Sequence, residues 1–212
     1  MGQILKGLKS VHDKGLIHKD FHPGNILNNN SGIGVCYITD LGLCRPVNET
    51  NSEKIYGVLS YVAPEVLLRK PYTQASDIYS FGMVAYELFS EKPIYQEYIH
   101  DELLAIRICQ GLRPNVDELK IPQLLKDLIK KCWNANPLER PTANKLARIL
   151  NDLWNEMSCN NTKFYYQCQE SKEFNKSSSF YKLYLPAFYR SSSLDYKDLP
   201  EPQNDEEMNK KF

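Results

Sequence analysis

The chain has 212 residues, 42% of them apolar, enough to bury one substantial core or two small ones. Its 26 basic and 26 acidic residues cancel, which argues against nucleic acid or an anionic membrane as a bulk electrostatic partner. The six cysteines show no C-x-x-C pair, and no apolar stretch approaches membrane-spanning length; both features fit a reduced, cytoplasmic protein.

In chain order, the spacing predicts a helix over residues 3 to 14, with Ile4, Leu5, Leu8 and Val11 on one face and Gly15 as its stop. Two short apolar runs, 24 to 27 and 34 to 39, flank the turn-rich Asn28 to Gly32 and predict a small β-hairpin. Residues 43 to 60 are polar and aperiodic. The long apolar run from 76 to 90 predicts a buried helix, and further helices fit 101 to 110, 122 to 133 and 142 to 157, punctuated by Pro114, Pro122, Pro137 and Pro141. After about Met157 the composition turns to serine runs, interleaved tyrosines and mixed charge. Residues 158 to 212 are read as a low-complexity, largely disordered tail with short apolar segments near 180 to 189. The fold class expected is mainly α.

The chemistry lies near the start. His18-Lys19-Asp20 precedes Asn25 by one short turn, and Asp40-Leu41-Gly42 follows the second predicted strand. Two carboxylates and one amide on neighbouring loops make a hard oxygen site suited to magnesium and a phosphorylated nucleotide.

The order of these residues resembles the protein-kinase signature H-R-D-x-x-x-x-N followed by D-F-G, and Ala63-Pro64-Glu65 continues it. Residues 1 to 157 resemble the C-terminal lobe of a protein kinase, with the hairpin carrying the catalytic and metal-binding loops. Cys132-Trp133 and Arg140-Pro141-Thr142 are similar to the tyrosine-kinase and tyrosine-kinase-like branches. The resemblance implies transfer of the ATP γ-phosphate to a protein Ser/Thr or Tyr hydroxyl in signal transduction. It implies Asp20 as the catalytic base, Asn25 and Asp40 as ligands of magnesium and nucleotide, and Leu27 beneath the adenine. It also implies that Asp77 accepts backbone hydrogen bonds from the catalytic loop, and that Glu65 pairs with Arg140. Gly42 is expected to turn where a side chain would clash, and Leu41, in place of Phe, to remain packed.

Several positions depart from the pattern. Lys19 replaces Arg and loses the bidentate fork. His22 stands where serine/threonine kinases usually carry Lys, and Val58 where they often carry Thr. No G-x-G-x-x-G or V-A-I-K stretch occurs, so the N-terminal lobe is missing from this sequence. Its place would fall to a partner kinase or a separate N-terminal lobe. Two alternatives follow: a non-catalytic lobe acting as a scaffold, or a truncated gene model of a complete kinase. Residues 43 to 60 are expected to form a switch segment, with Thr50, Ser52 and Tyr56 as phosphate acceptors and Lys19, Arg45 and Lys54 as receiving cations.

Overall fold

A computed structural model describes residues 1–29, 35–47, 55–159, 162–174 and 189–205. Helix α1 (Gly2–His12) buries Ile4, Leu5, Leu8 and Val11, the face expected from the period. Gly15 follows at φ 68°, in the left-handed region that lets the chain reverse. The short strand β1 (Leu16–Ile17) pairs antiparallel with β4 (Arg45–Pro46). Strands β2 (Ile26–Asn29) and β3 (Val35–Ile38) pair antiparallel in the register Ile26 to Ile38 and Leu27 to Tyr37. The third pair joins β5 (Ile55–Gly57) to β6 (Ser192–Leu194), from the far end of the chain.

The body of the molecule is helical. The short helix α2 (Pro64–Leu67) starts with proline at its first turn, where no N–H is needed. Helix α3 (Gln74–Ser90) is buried nearly all round, from Ser76 through Ala85. Ser76 Oγ accepts from the Thr73 N–H at 3.2 Å and fixes its start. Helices α4 (Glu102–Cys109) and α5 (Gln123–Cys132) flank it, and Asp101 caps α4 by accepting from the N–H groups of Leu103 and Leu104. Helix α6 (Ala143–Ser158), capped by the Thr142 hydroxyl, packs on α1. One continuous core runs from Leu5 through Tyr79 and Phe81 to Leu146.

The described residues of the tail hold contacts that the sequence does not lead one to expect. Helix α7 (Lys163–Phe174) packs against α6, and Phe164 is buried. Residues 189–205 lie along the helical body. Leu194 is buried, Asp195 pairs with Arg69, Glu201 pairs with Lys70 at 3.0 Å, and Asn204 Oδ1 accepts from the Ala135 N–H at 2.8 Å. Composition weighted the serines and charges. The few apolar anchors between them decide the packing instead. The expected switch residues Thr50, Ser52 and Lys54, the serine run 177 to 179 and the apolar segment 180 to 188 lie outside the described residues.

Candidate active site

The loop from His18 to Asn25 is held from below by one buried carboxylate. Asp77, in the first turn of α3, accepts from the His18 N–H at 2.8 Å and from the Lys19 N–H at 3.0 Å. This is the part that the resemblance implies for it. His12 Nε2 lies 2.9 Å from Asp77 Oδ2, a partner that nothing in the sequence indicated. A buried carboxylate is tolerated only with such donors. The grip lets Lys19 hold φ 71°, an uncommon left-handed conformation for a residue with a side chain. The Lys19 ammonium lies 5.3 Å from the centre of the Tyr72 ring, a cation–π contact at the position expected to receive a phosphate.

The loop turns Asp20 inward, and its residue is only 6% exposed. Asn25 Nδ2 donates to the Asp20 backbone oxygen at 2.9 Å and lies 3.4 Å from Asp20 Oδ2. His22, also buried, accepts the Gly24 N–H on Nδ1 at 3.1 Å, and its Nε2 lies 3.5 Å from Asp20 Oδ2. Burial pushes the Asp20 carboxyl up. Hydrogen bonds from His22 and from the Ser191 hydroxyl outweigh it, helped by the charges of His22 and His18, and the net direction is down. Asp20 is therefore held ionised.

The second acid is tied to the same place through the backbone. The Thr39 N–H donates to the Asn25 carbonyl at 2.9 Å, so the β2–β3 pair brings Asn25 and Asp40 to one end. Asp40 is exposed and adopts φ 55°, ψ 61°. Here the expectation for Gly42 fails. A Cβ on Gly42 would meet only Asp40 Oδ1 at 3.4 Å, an ordinary contact. The residue that makes the left-handed turn is Asp40 itself, and strain of this kind gathers at functional loops. Leu41, expected to pack, is 54% exposed, as are Leu27 and its cross-strand partner Tyr37. Leu27 is thus an open apolar surface beside Asn25 rather than a core residue.

Glu65, Tyr61 and Glu87 complete the surroundings. Arg140 donates from both terminal nitrogens to the two oxygens of Glu65 at 2.7 Å, and both residues are buried. Glu87 on α3, wholly buried, accepts from the hydroxyls of Tyr61 and Tyr189. Sequence reasoning missed Glu87, because an acid within an apolar helix run shows no partner until the fold supplies the tyrosines. Burial pushes its carboxyl up, against the hydrogen bonds of Tyr189 and Tyr61 and the charge of His22. A raised folded-state pKa stabilises fully below the unfolded value and loses that stability as pH rises through the folded one. Thermal melts of the wild type and Glu87→Gln should therefore diverge with pH. The wild-type melting temperature, relative to the variant, is expected to fall as pH climbs out of the ordinary glutamate range. A constant difference would show that Glu87 does not titrate with folding.

Among the described residues no helix is long and apolar enough to cross a membrane, and no cluster of three or more His, Cys, Asp or Glu side chains is placed to hold a metal.

The family model of the protein kinase domain matches residues 1–154. The "Probable serine/threonine-protein kinase gdt2" of Dictyostelium discoideum is 33% identical over 163 residues, which cover 74% of this chain and 10% of that protein. The human "Receptor-interacting serine/threonine-protein kinase 1" is 38% identical over 160 residues, 66% of this chain and 23% of that protein. A "Protein kinase and PP2C-like domain-containing protein" of Arabidopsis thaliana is 27% identical over 188 residues, 73% of this chain and 28% of that protein. The chain spans between about a tenth and just over a quarter of the length of these relatives. With the family model matched over most of its length, and with Asp20, Asn25, Asp40 and the Glu65–Arg140 pair set as described, the chain belongs to the protein kinase domain family.

Proposed function

We propose that the chain carries the acceptor half of a kinase site that transfers the ATP γ-phosphate to a protein serine or threonine hydroxyl. The observation that carries this reading is the Asp20–Asn25 pair, clamped through Asp77 and joined to Asp40 by the Thr39–Asn25 backbone bond. The serine/threonine preference rests on the names of the relatives gdt2 and receptor-interacting kinase 1.

The residues present fit magnesium and nucleotide. Asn25 spends its amide nitrogen on Asp20, which leaves a hard oxygen donor, and Asp40 adds an exposed carboxylate. With one acid and one amide, the protein set is small, as suits magnesium shared with phosphate oxygens rather than caged by protein. When bound, magnesium-ATP supplies the transferable phosphoryl group and the cations that neutralise its charge. The chain's own residues do the rest. Asp20 accepts the hydrogen bond of the incoming hydroxyl, orients it and takes its proton. Asn25 holds the Asp20 loop and, with Asp40, the metal. Leu27 and Tyr37 give the adenine an apolar floor. That open face also suits the reading in which an N-terminal lobe or a partner kinase covers the site. The substrate is a protein, and its pathway is signalling.

Asp40→Ala tests the metal assignment. Magnesium-dependent nucleotide affinity, measured by calorimetry, is expected to fall by at least about tenfold, the lower end of the loss seen when even an outer-shell partner is removed. Affinity measured without magnesium should hardly change. An equal loss in both conditions would mean that Asp40 does not act through the metal.

A further inference from the structure

The tail brings a hydroxyl to the base. Ser191 Oγ donates to Asp20 Oδ2 at 2.7 Å, across 171 positions of sequence. Four further contacts fix this segment. The Tyr189 ring stacks on His22, with centroids 5.9 Å apart and planes at 15°, and its hydroxyl donates to the buried Glu87. Strand β6 continues directly from Ser191 and pairs with β5, Ser192 opposite Gly57 and Leu194 opposite Ile55. Leu194 is buried in the main core cluster.

The lobe surface is shaped for this approach. Gly57 holds φ 152°, and a Cβ there would meet Val62 at 2.9 Å and lie 3.5 Å from Asp20 Oδ1. A Cβ on Gly24 would meet Tyr189 Cβ at 2.9 Å. Glycine at 24 leaves room for the Tyr189 side chain, and glycine at 57 takes a φ that a residue with a side chain rarely adopts.

We propose that residues 189–195 occupy the protein-substrate groove of this chain, with Ser191 as a phosphate acceptor in cis. The proposal rests on the kinase reading of Asp20 and adds the occupant of its groove. In the transfer, Ser191 Oγ forms the bond to the γ-phosphorus. The bond from that phosphorus to the bridging oxygen breaks, ADP leaves, and the Ser191 proton passes to Asp20. The product works against its own binding. A phosphate on Ser191 adds nearly two negative charges. They fall against the Asp20 carboxyl that Ser191 Oγ meets at 2.7 Å. The unmodified tail therefore closes the groove to protein substrates, and the modified tail leaves it.

Two readouts on the full chain test this. The first is hydrogen exchange at Ile55–Gly57 and Ser192–Leu194, which needs no transfer. Both segments should be protected together. Protection should drop by at least about tenfold in Leu194→Asp, as expected when one buried leucine is lost. It should also drop in the chain carrying phosphoserine at 191. Protection of β5 that neither change alters would overturn the docking. The second readout is mass spectrometry of the chain joined to the lobe that covers the nucleotide, after incubation with magnesium-ATP and casein as an added acceptor. Phosphate on Ser191 at a rate independent of protein concentration, lost in Ser191→Ala, is the expected result. Phosphate on casein but not on Ser191, or a rate proportional to chain concentration, would overturn the acceptor in cis. Transfer to neither acceptor would overturn the kinase reading, and the acceptor role with it, while the exchange data still report the docking separately.

Discussion

Replacing Glu65 by Ala is expected to lower the stability of the fold by about 3–5 kcal/mol, the usual cost of stranding one member of a buried ion pair. The geometry explains why relaxation cannot rescue the variant. Arg140 meets Glu65 through two parallel bonds of 2.7 Å, and two more of its donors are also committed. Nη1 reaches the Ala75 carbonyl at 3.0 Å, and Nε reaches that of Asn134 at 2.8 Å. The Arg140 guanidinium also lies 5.2 Å from the Tyr79 ring centre. These contacts hold the guanidinium inside when its counter-charge is removed. Denaturant titration of Glu65→Ala, Arg140→Ala and the double variant closes a cycle. The double variant should be little worse than Glu65→Ala alone. Additive losses would show that the pair does not join the start of α2 to the helical body.

Much of this was readable from the residues because it depends on short spacings. The α1 face, the span of α3 and the positions of Asp77, Glu65 and Arg140 follow from period and motif, and the structure places them as expected. What escaped depends on contacts between distant parts of the chain. Three serines in a row at 191 to 193 look like solvated low complexity, yet the first meets Asp20 and the next two pair with β5. Glu87 read as a helix residue among apolar neighbours, and only Tyr61 and Tyr189 show why a buried acid is tolerated there. His12 lies at the end of α1 with no partner nearby in sequence, and the fold turns it onto Asp77. Gly42 and Asp40 show a subtler failure. The motif correctly marks a strained turn, but glycine is not the residue that bears it. A motif records which residue types occur together, whereas the φ values of the loop decide which of them takes the left-handed position.

Asp20→Asn is expected to reduce phosphoryl transfer by about 100- to 10,000-fold, the range typical for losing a positioned general base. The change keeps the side-chain shape and removes the charge proposed to orient the hydroxyl and take its proton. The loop should survive, because Asp77, not Asp20, holds its backbone through His18 and Lys19. Thermal melts of the variant check this separately. Nucleotide binding should also survive, since Asn25 and Asp40, not Asp20, are the proposed metal ligands.

The most direct measurement is transfer of the labelled γ-phosphate to protein, scored with nucleotide affinity on the same samples of wild type and Asp20→Asn. It is made in the kinase assembled with the lobe that covers the nucleotide, so that chemistry and binding are read apart. The transfer rate is expected to fall by the factor above, with affinity unchanged within about twofold, a difference of under half a kcal/mol. Wild-type transfer by Asp20→Asn would contradict it, because the acid at the centre of this loop would then have no part in the reaction.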